Sequence, residues 1–336
     1  MPDVSVVITT HNRSALLART LASAARLTYH GTWEVIVVDN NCTDTTRQVV
    51  VAARATFPAP LHYLIEAEPG KYAALNAGIR HASGAVIANT DDDVDLPADW
   101  LACAVGALDR HQCDFVGGPV YPIWEAPPPR WIGARNSLCG KVLALQDHGA
   151  AIREYGCGGI SWPLGVNVAY RREAFACAGL FDPQLGRVAG TLRNQSQRDW
   201  HLRARRAGLR GIYVPDMVVH HVVPQDRMTR RYFYDWFYWH GISRAIMYQT
   251  SGAHMLEPDG PETHAAERQL LGVPASLWRR TARATISAGV RWLHGRPDAA
   301  LEYELQIPFL VGVVRQRLRD RRRPLRTAAP AGGVSP

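Results

Sequence analysis

The sequence has 336 residues and no CxxC pair, although it holds six cysteines: Cys42, Cys103, Cys113, Cys139, Cys157 and Cys177. Zinc-finger spacing is therefore excluded, and thiols scattered along a chain this long read as reduced rather than as a disulfide framework. No apolar stretch approaches bilayer length; the longest late run, Phe309–Val314, is far too short. Met1-Pro2-Asp3 leads straight into an apolar run and does not read as a signal peptide. These absences predict a cytoplasmic protein, soluble or peripheral on the inner face of a membrane. Glycine-rich phosphate loops are missing too. The first turn, THNRS, fits neither GxGxxG nor GxxxxGK[ST], so neither a dinucleotide fold nor a P-loop is signalled. No internal repeat is visible.

What is present is an ordinary apolar content, enough for a substantial core, and a basic balance: net charge +8 with pI near 9.4. The excess is uneven, with seven arginines against Asp320 alone between Arg315 and Arg326. A basic balance points to anionic partners such as phosphate-bearing substrates or a membrane surface. A solvated charged tail is the plain alternative. No nucleic-acid recognition module is visible, so no nucleic-acid partner is expected.

Apolar runs of strand length recur at Val4–Thr10, Glu34–Val38, Leu61–Ile65 and Ala85–Ala88. Helical spacing separates them at Ser14–Leu27, Thr43–Arg54 and Lys71–Ala82, with Ala98–Arg110 following. Strand and helix in alternation predict an α/β fold with a mainly parallel sheet. Ligands of such sheets bind beyond the carboxyl ends of the strands. Those ends carry Thr10-His11-Asn12, Asp39-Asn40-Asn41, Glu66 and the triplet Asp91, Asp92, Asp93.

The triplet is the most informative stretch. Three adjacent carboxylates repel one another unless a cation is near. Alternate residues of an extended segment point the same way, so Asp91 and Asp93 can reach one hard cation, Mg2+ or Mn2+. The plain reading is a solvated turn with Asp95 capping a helix that Pro97 opens. It accounts for Asp95 and leaves the triplet unexplained.

Four segments in register, VSVVITTHNR, EVIVVDNNCTD, EPGKYAALNAGIRHASG and NTDDDVDLPADWL, resemble the family 2 glycosyltransferases of GT-A fold. The resemblance runs from Val4 to about Ala245. It implies a GT-A domain over 1–245, in which 1–118 bind the nucleotide-sugar and 119–245 the acceptor. A helical extension over 246–326 and a disordered tail over 327–336 complete the expected organisation. It implies an inverting transferase with a nucleotide-sugar donor, UDP by default, a Mn2+ or Mg2+ cofactor, and a sugar, lipid-linked or small-molecule acceptor. Surface polysaccharide, glycolipid or secondary-metabolite synthesis would be its setting.

By position, Asp39 is expected at base or ribose with Thr10 and Asn12 nearby, and Lys71 at donor phosphate. Asp91 and Asp92 belong to the donor site, and Asp93 to the metal. The segment Pro163–Gly186 matches an acceptor-side strand and helix, which makes Gly165 and Asn167 acceptor candidates, with Trp200 beyond it. A fold-maintaining role for Gly165 and Asn167 stands beside that reading. In HHVVPQDR, His221 is the candidate metal ligand with His220 as its neighbour-rival, and Arg227 the diphosphate contact.

One departure matters. Where the family reads Glu-Asp before LRARRAG, this chain has Ser196-Gln197, and Gln is no general base. Asp199 is the nominated base; pairing with Arg203 at i,i+4 is its structural alternative. A catalytically impaired sugar-nucleotide binder is accordingly the rival function. A nucleotidyltransferase is a weaker one, because THNRSALLAR is poor in glycine. The aromatic stretch Tyr232–His240 reads as core packing, a sugar-stacking lid or a membrane-interface helix. Ala265–Leu293 and Ala299–Arg323 read as two long helices with basic faces.

Overall fold

The computed structural model describes residues 2–132, 138–157, 159–251 and 268–321. The first half alternates as its apolar runs require: β1 (Val4–Thr10), α1 (Ser14–Ala24), β2 (Trp33–Asp39), α2 (Thr46–Arg54), β3 (Leu61–Ile65), α3 (Lys71–His81) and β4 (Val86–Asp91). Every residue of β1 and β2 is buried, the mark of strands covered on both faces. Val6, Ile8, Val35 and Val37 pack under α1 and α2, whereas Val7, Ile36 and Val38 face α3. The period-two alternation thus feeds two cores at once.

After β4 come β5 (Val94–Asp95), α4 (Trp100–His111), β6 (Phe115–Gly117), β7 (Val120–Trp124), α5 (Leu138–Val142), β8 (Arg153–Glu154), β9 (Val168–Arg171), α6 (Arg172–Ala178), α7 (Ser196–Arg206), β10 (Gly211–Tyr213) and β11 (Val219–Val223). The main sheet has the order β3-β2-β1-β4-β9-β6-β10-β8. Its first four strands are parallel, and β9 runs antiparallel between β4 and β6. A small sheet, β5-β11-β7, stands beside the tip of β4. Asp95 lies in β5 and takes the Arg26 guanidinium at 2.9 Å, so it is a strand residue and no helix cap.

The C-terminal part is α8 (Arg230–Ser251), the hairpin β12 (Gln269–Leu270) and β13 (Val273–Pro274), then α9 (Ala275–Leu293), α10 (Pro297–Glu304) and α11 (Gln306–Arg321). The expected division at 245/246 falls inside α8, which is continuous there. The expected helix over Ala265–Leu293 starts only after Pro274, and residues 265–267 and the 327–336 tail lie outside the described residues. Ala299–Arg323 divides into α10 and α11 because Pro308 has no N–H to return to the Glu304 carbonyl. Of the aromatics in the stretch Tyr232–His240, Phe233 and Phe237 are core and the tyrosines and tryptophans are half-buried. Phe233 and Phe237 are buried with Leu277, Leu301 and Phe309, and Trp131 of the proline-rich crossover meets Phe233 edge-on at 4.9 Å.

Two glycines set how closely α8 and α11 approach. A Cβ on Gly241 would overlap the Phe309 carbonyl oxygen, and one on Gly312 the Tyr238 carbonyl oxygen. The contact is backbone to backbone and has no flexible side chain to yield. Glycine to alanine inside a helix ordinarily stabilises by about 1 kcal/mol. Here Gly241→Ala and Gly312→Ala should each lower the urea-unfolding free energy by about 1–3 kcal/mol, the range for overpacking. A gain in stability for either variant contradicts this crossing.

Candidate active site

Parallel register sets Thr10 opposite Asp39 and Thr9 opposite Asp91, so three strand tips open on one side of the sheet. Asn40, just past β2, shapes the next loop. Its Nδ2 donates to the Glu66 and Glu68 carbonyls, and its Oδ1 accepts from the Gly70 N–H at 2.7 Å. Gly70 turns there with φ 139°, a value for which only glycine is relaxed. The chain then enters α3 at Lys71, whose Nζ lies 2.5 and 2.7 Å from the two Asp91 oxygens.

Asp92 and Asp93 are buried. Thr10 Oγ1 donates to Asp92 at 2.7 Å, and one Arg13 nitrogen stands 3.2 Å from Asp92 and 2.8 Å from Asp93. Past Asp93 the chain becomes β5 and pairs antiparallel with β11, and the Val222 N–H bonds the Asp93 carbonyl at 2.8 Å. That pairing carries His221 Nε2 to 3.4 Å and Arg227 to 3.8 Å from the Asp93 carboxylate. His220 alternates away, against the ring of Tyr121.

The surroundings split the two acids. Burial, then the charge of Asp93, raises the Asp92 pKa, with Arg13 and Thr10 opposing. Burial works the same way on Asp93, but His221, Arg13 and Arg227 outweigh it and hold that carboxyl below the usual range.

Asp93 Oδ1 accepts no hydrogen bond, although it is buried beside an imidazole. An oxygen and a nitrogen donor on one wall suit a divalent cation such as Mn2+ or Mg2+. Among the described residues no group of three or more His, Cys, Asp or Glu side chains is disposed to hold a metal. Asp93 and His221 are the pair here whose donor atoms could serve one.

Asp39 and Asn12 both hold the turn after β2. The Asp39 carboxylate accepts from the Cys42 N–H at 2.7 Å and from the Tyr63 hydroxyl, and Asn12 Oδ1 accepts from the Thr43 N–H at 2.7 Å. The five described cysteines with placed side chains are free thiols. Arg13 went unnoticed in the sequence. Its signal was position: it is the one cation in the loop that follows β1.

On the acceptor side three expected site residues are held in structural contacts. Asn167 is fully buried and makes three structural hydrogen bonds, from Trp100 Nε1 and to the Pro119 and Met217 carbonyls. Trp200 is fully buried among Phe115, Tyr170 and Phe181, its Nε1 donating to the Gly179 carbonyl. Neither side chain is open to an acceptor. Asp199 accepts from Arg203 at 2.9 Å, and Arg203 also donates to the Ala178 and Leu180 carbonyls, so this carboxylate braces α7 on α6. Burial raises its pKa, with Arg203 opposing.

Residues two apart lie about 200° around a helix. Gln197 accordingly looks the other way from Asp199, onto Gly165, Tyr72 and Tyr170. Gly165 lies against Gln197, where a Cβ would collide with its amide oxygen.

Fold and strand tips define a class before a family. The chain has the GT-A fold of glycosyltransferases. Its structure is similar to that of the mannosyltransferase PcManGT from Pyrobaculum calidifontis, with TM-score 0.58 at 21% identity, covering 94% of this chain and 87% of that one. Residues 5–179 match glycosyl transferase family 2, and the chain belongs to that family.

Relatives include the glycosyltransferase AglE of Haloferax volcanii, 35% identical over 122 residues that make up 36% of this chain and 40% of AglE. Another is an N-acetylglucosaminyltransferase of Bradyrhizobium diazoefficiens, 28% identical over 320 residues, or 90% of this chain and 61% of that protein. The chain thus spans less than two thirds of either relative.

Because Asn167 ties Trp100 to the β6–β7 and β10–β11 connections, Asn167→Ala strands a buried indole N–H and two carbonyls. We expect a loss of about 2–4 kcal/mol in urea unfolding, from unpaired groups that cost about 1–3 kcal/mol each. A loss under about 0.5 kcal/mol, the scale of an ordinary surface change, contradicts the structural role.

Proposed function

We propose that the protein binds a nucleoside diphosphate sugar across the tips of β1, β2 and β4 and transfers its sugar, with inversion, to a hydroxyl acceptor. The observation that carries this reading is the buried Asp93 carboxylate, with one oxygen unbonded, facing His221 while Lys71 and Asp91 close the neighbouring tip. The similar mannosyltransferase was solved with GDP-Man and Mn2+. GalNAc-T7, of TM-score 0.52 and 16% identity, was solved with UDP, GalNAc and Mn2+. A donor of that chemical type supports a divalent cation here, with UDP the nucleotide to try first and GDP the next.

Asp93 and His221 would hold the cation, whose charge, when it is bound, offsets the negative charge of the departing diphosphate. Lys71, Arg13 and Arg227 supply fixed positive charge around the same phosphates. Asp39 and Thr10 sit where the nucleoside enters. The acceptor approaches over Gly165 and Gln197, opposite the leaving group. Gln197 can orient a hydroxyl by hydrogen bonding and cannot take its proton.

That last point favours a second reading, a sugar-nucleotide binder whose transfer power has fallen with the missing carboxylate. Asp199 does not fill the gap, since its carboxylate is engaged by Arg203.

A thermal-shift screen of UDP- and GDP-sugars with and without Mn2+ tests the donor site, because a ligand of the folded form raises the midpoint by mass action. We expect a shift that needs both nucleotide and Mn2+; no shift with any nucleotide sugar contradicts the reading. In transfer or donor-hydrolysis assays, Asp199→Asn should keep kcat within about threefold, whereas loss of a general base costs about 10²–10⁴-fold. Gln197→Asp should raise kcat by about a hundredfold if the impaired-base reading is right, and leave it level if Gln197 serves a working transferase.

A further inference from the structure

The C-terminal helices present a surface that sugar transfer does not use. Residues 268–321 contain ten arginines, four acidic residues and no lysine, an excess of six out of the whole chain's +8. Arginines of α11 meet neutral partners: Arg315 donates to the Tyr238 hydroxyl and Arg317 to the Gly272 carbonyl. Asp320, the acid among them, accepts from Gln316.

Helices α9 and α11 also expose apolar side chains. Helix α9 buries Leu277, Thr281, Ala284 and Ala288, yet its opposite stripe is apolar as well: Ile286 is 68% exposed, Val290 46% and Leu293 88%. Helix α11 likewise exposes Ile307, Val311 and Leu318. Between the two helices runs a groove of ≈ 470 Å³ walled by Trp278, Leu310, Val311, Val314 and Leu318, with Arg315 and Arg319 also lining it. Exposed apolar stripes set among cations have no role in a freely dissolved helix pair. No helix among the described residues is long and apolar enough to cross a membrane.

We infer that α9 and α11 dock the protein on a bilayer surface bearing anionic phosphate headgroups, the outer apolar side chains entering the headgroup boundary and the arginines meeting the phosphates. The sign of the charge selects this occupant. A second copy pressed face to face would set arginine against arginine, which disfavours association.

Full-length protein sedimented with phosphatidylcholine vesicles, with and without phosphatidylglycerol, tests the inference. The protein should be retained on the anionic vesicles at low salt and released as salt rises. Arg315→Gln with Arg319→Gln should weaken retention by roughly fivefold per arginine. Ile286→Ser with Leu293→Ser should weaken it further while leaving the thermal midpoint and the nucleotide-induced shift in place. That shift also reads the sugar-donor proposal separately.

Three results overturn the inference: no retention at low salt; equal retention on neutral vesicles that neither variant pair alters; or a dimer by light scattering that Leu293→Ser dissolves.

Discussion

A buried carboxylate needs polar and charged partners around it, and Asp93 draws them from three separate parts of the chain. Arg13 comes from the loop after β1, and His221 and Arg227 from β11 and the turn beyond it. The join is made by backbone. The strand β5 follows the triplet directly and pairs with β11, and the Val222 N–H closes on the Asp93 carbonyl. A ladder of this kind fixes a side chain more tightly than a loop can. The same pairing sends His221 inward and His220 outward by alternation. The first and second halves of the domain are therefore coupled through one residue's main chain and side chain together.

The first four strands were legible because each is a short apolar run ended by polar residues, and the polar tips of β1, β2 and β4 do lie side by side. The antiparallel insertion of β9 between β4 and β6 was not legible, since nothing local in VAYR names its partners. Nor was Arg13, which gains its meaning only when β1 and β4 lie side by side. On the acceptor side, Asn167 sits in a motif position, but a motif does not state which way a side chain points. The turn of α7 decides it: Gln197 looks toward Gly165 and Tyr72, and Asp199 toward Arg203. The i,i+4 pairing weighed as the alternative for Asp199 is the arrangement found.

The C-terminal helices share a core with the sheet domain. Phe233 and Phe237 of α8 share a core with Val223 of β11, a few residues from Arg227. The glycine-lined crossing of α8 and α11 keeps that core dense. Phe233 and Phe237 therefore turn inward, and α9 and α11 expose apolar side chains. Of the basic stretch Arg315–Arg326, the described arginines Arg315, Arg317, Arg319 and Arg321 lie on α11.

The proposed function requires Asp93 and a divalent cation to act together on a diphosphate. Calorimetric titration of UDP and GDP into the wild-type protein and Asp93→Asn, each with and without Mn2+, tests it most directly. Affinity in Mn2+ should fall at least about tenfold in the variant, about 1.4 kcal/mol, while metal-free affinity stays level. Equal affinity of the two proteins in Mn2+ would contradict the account.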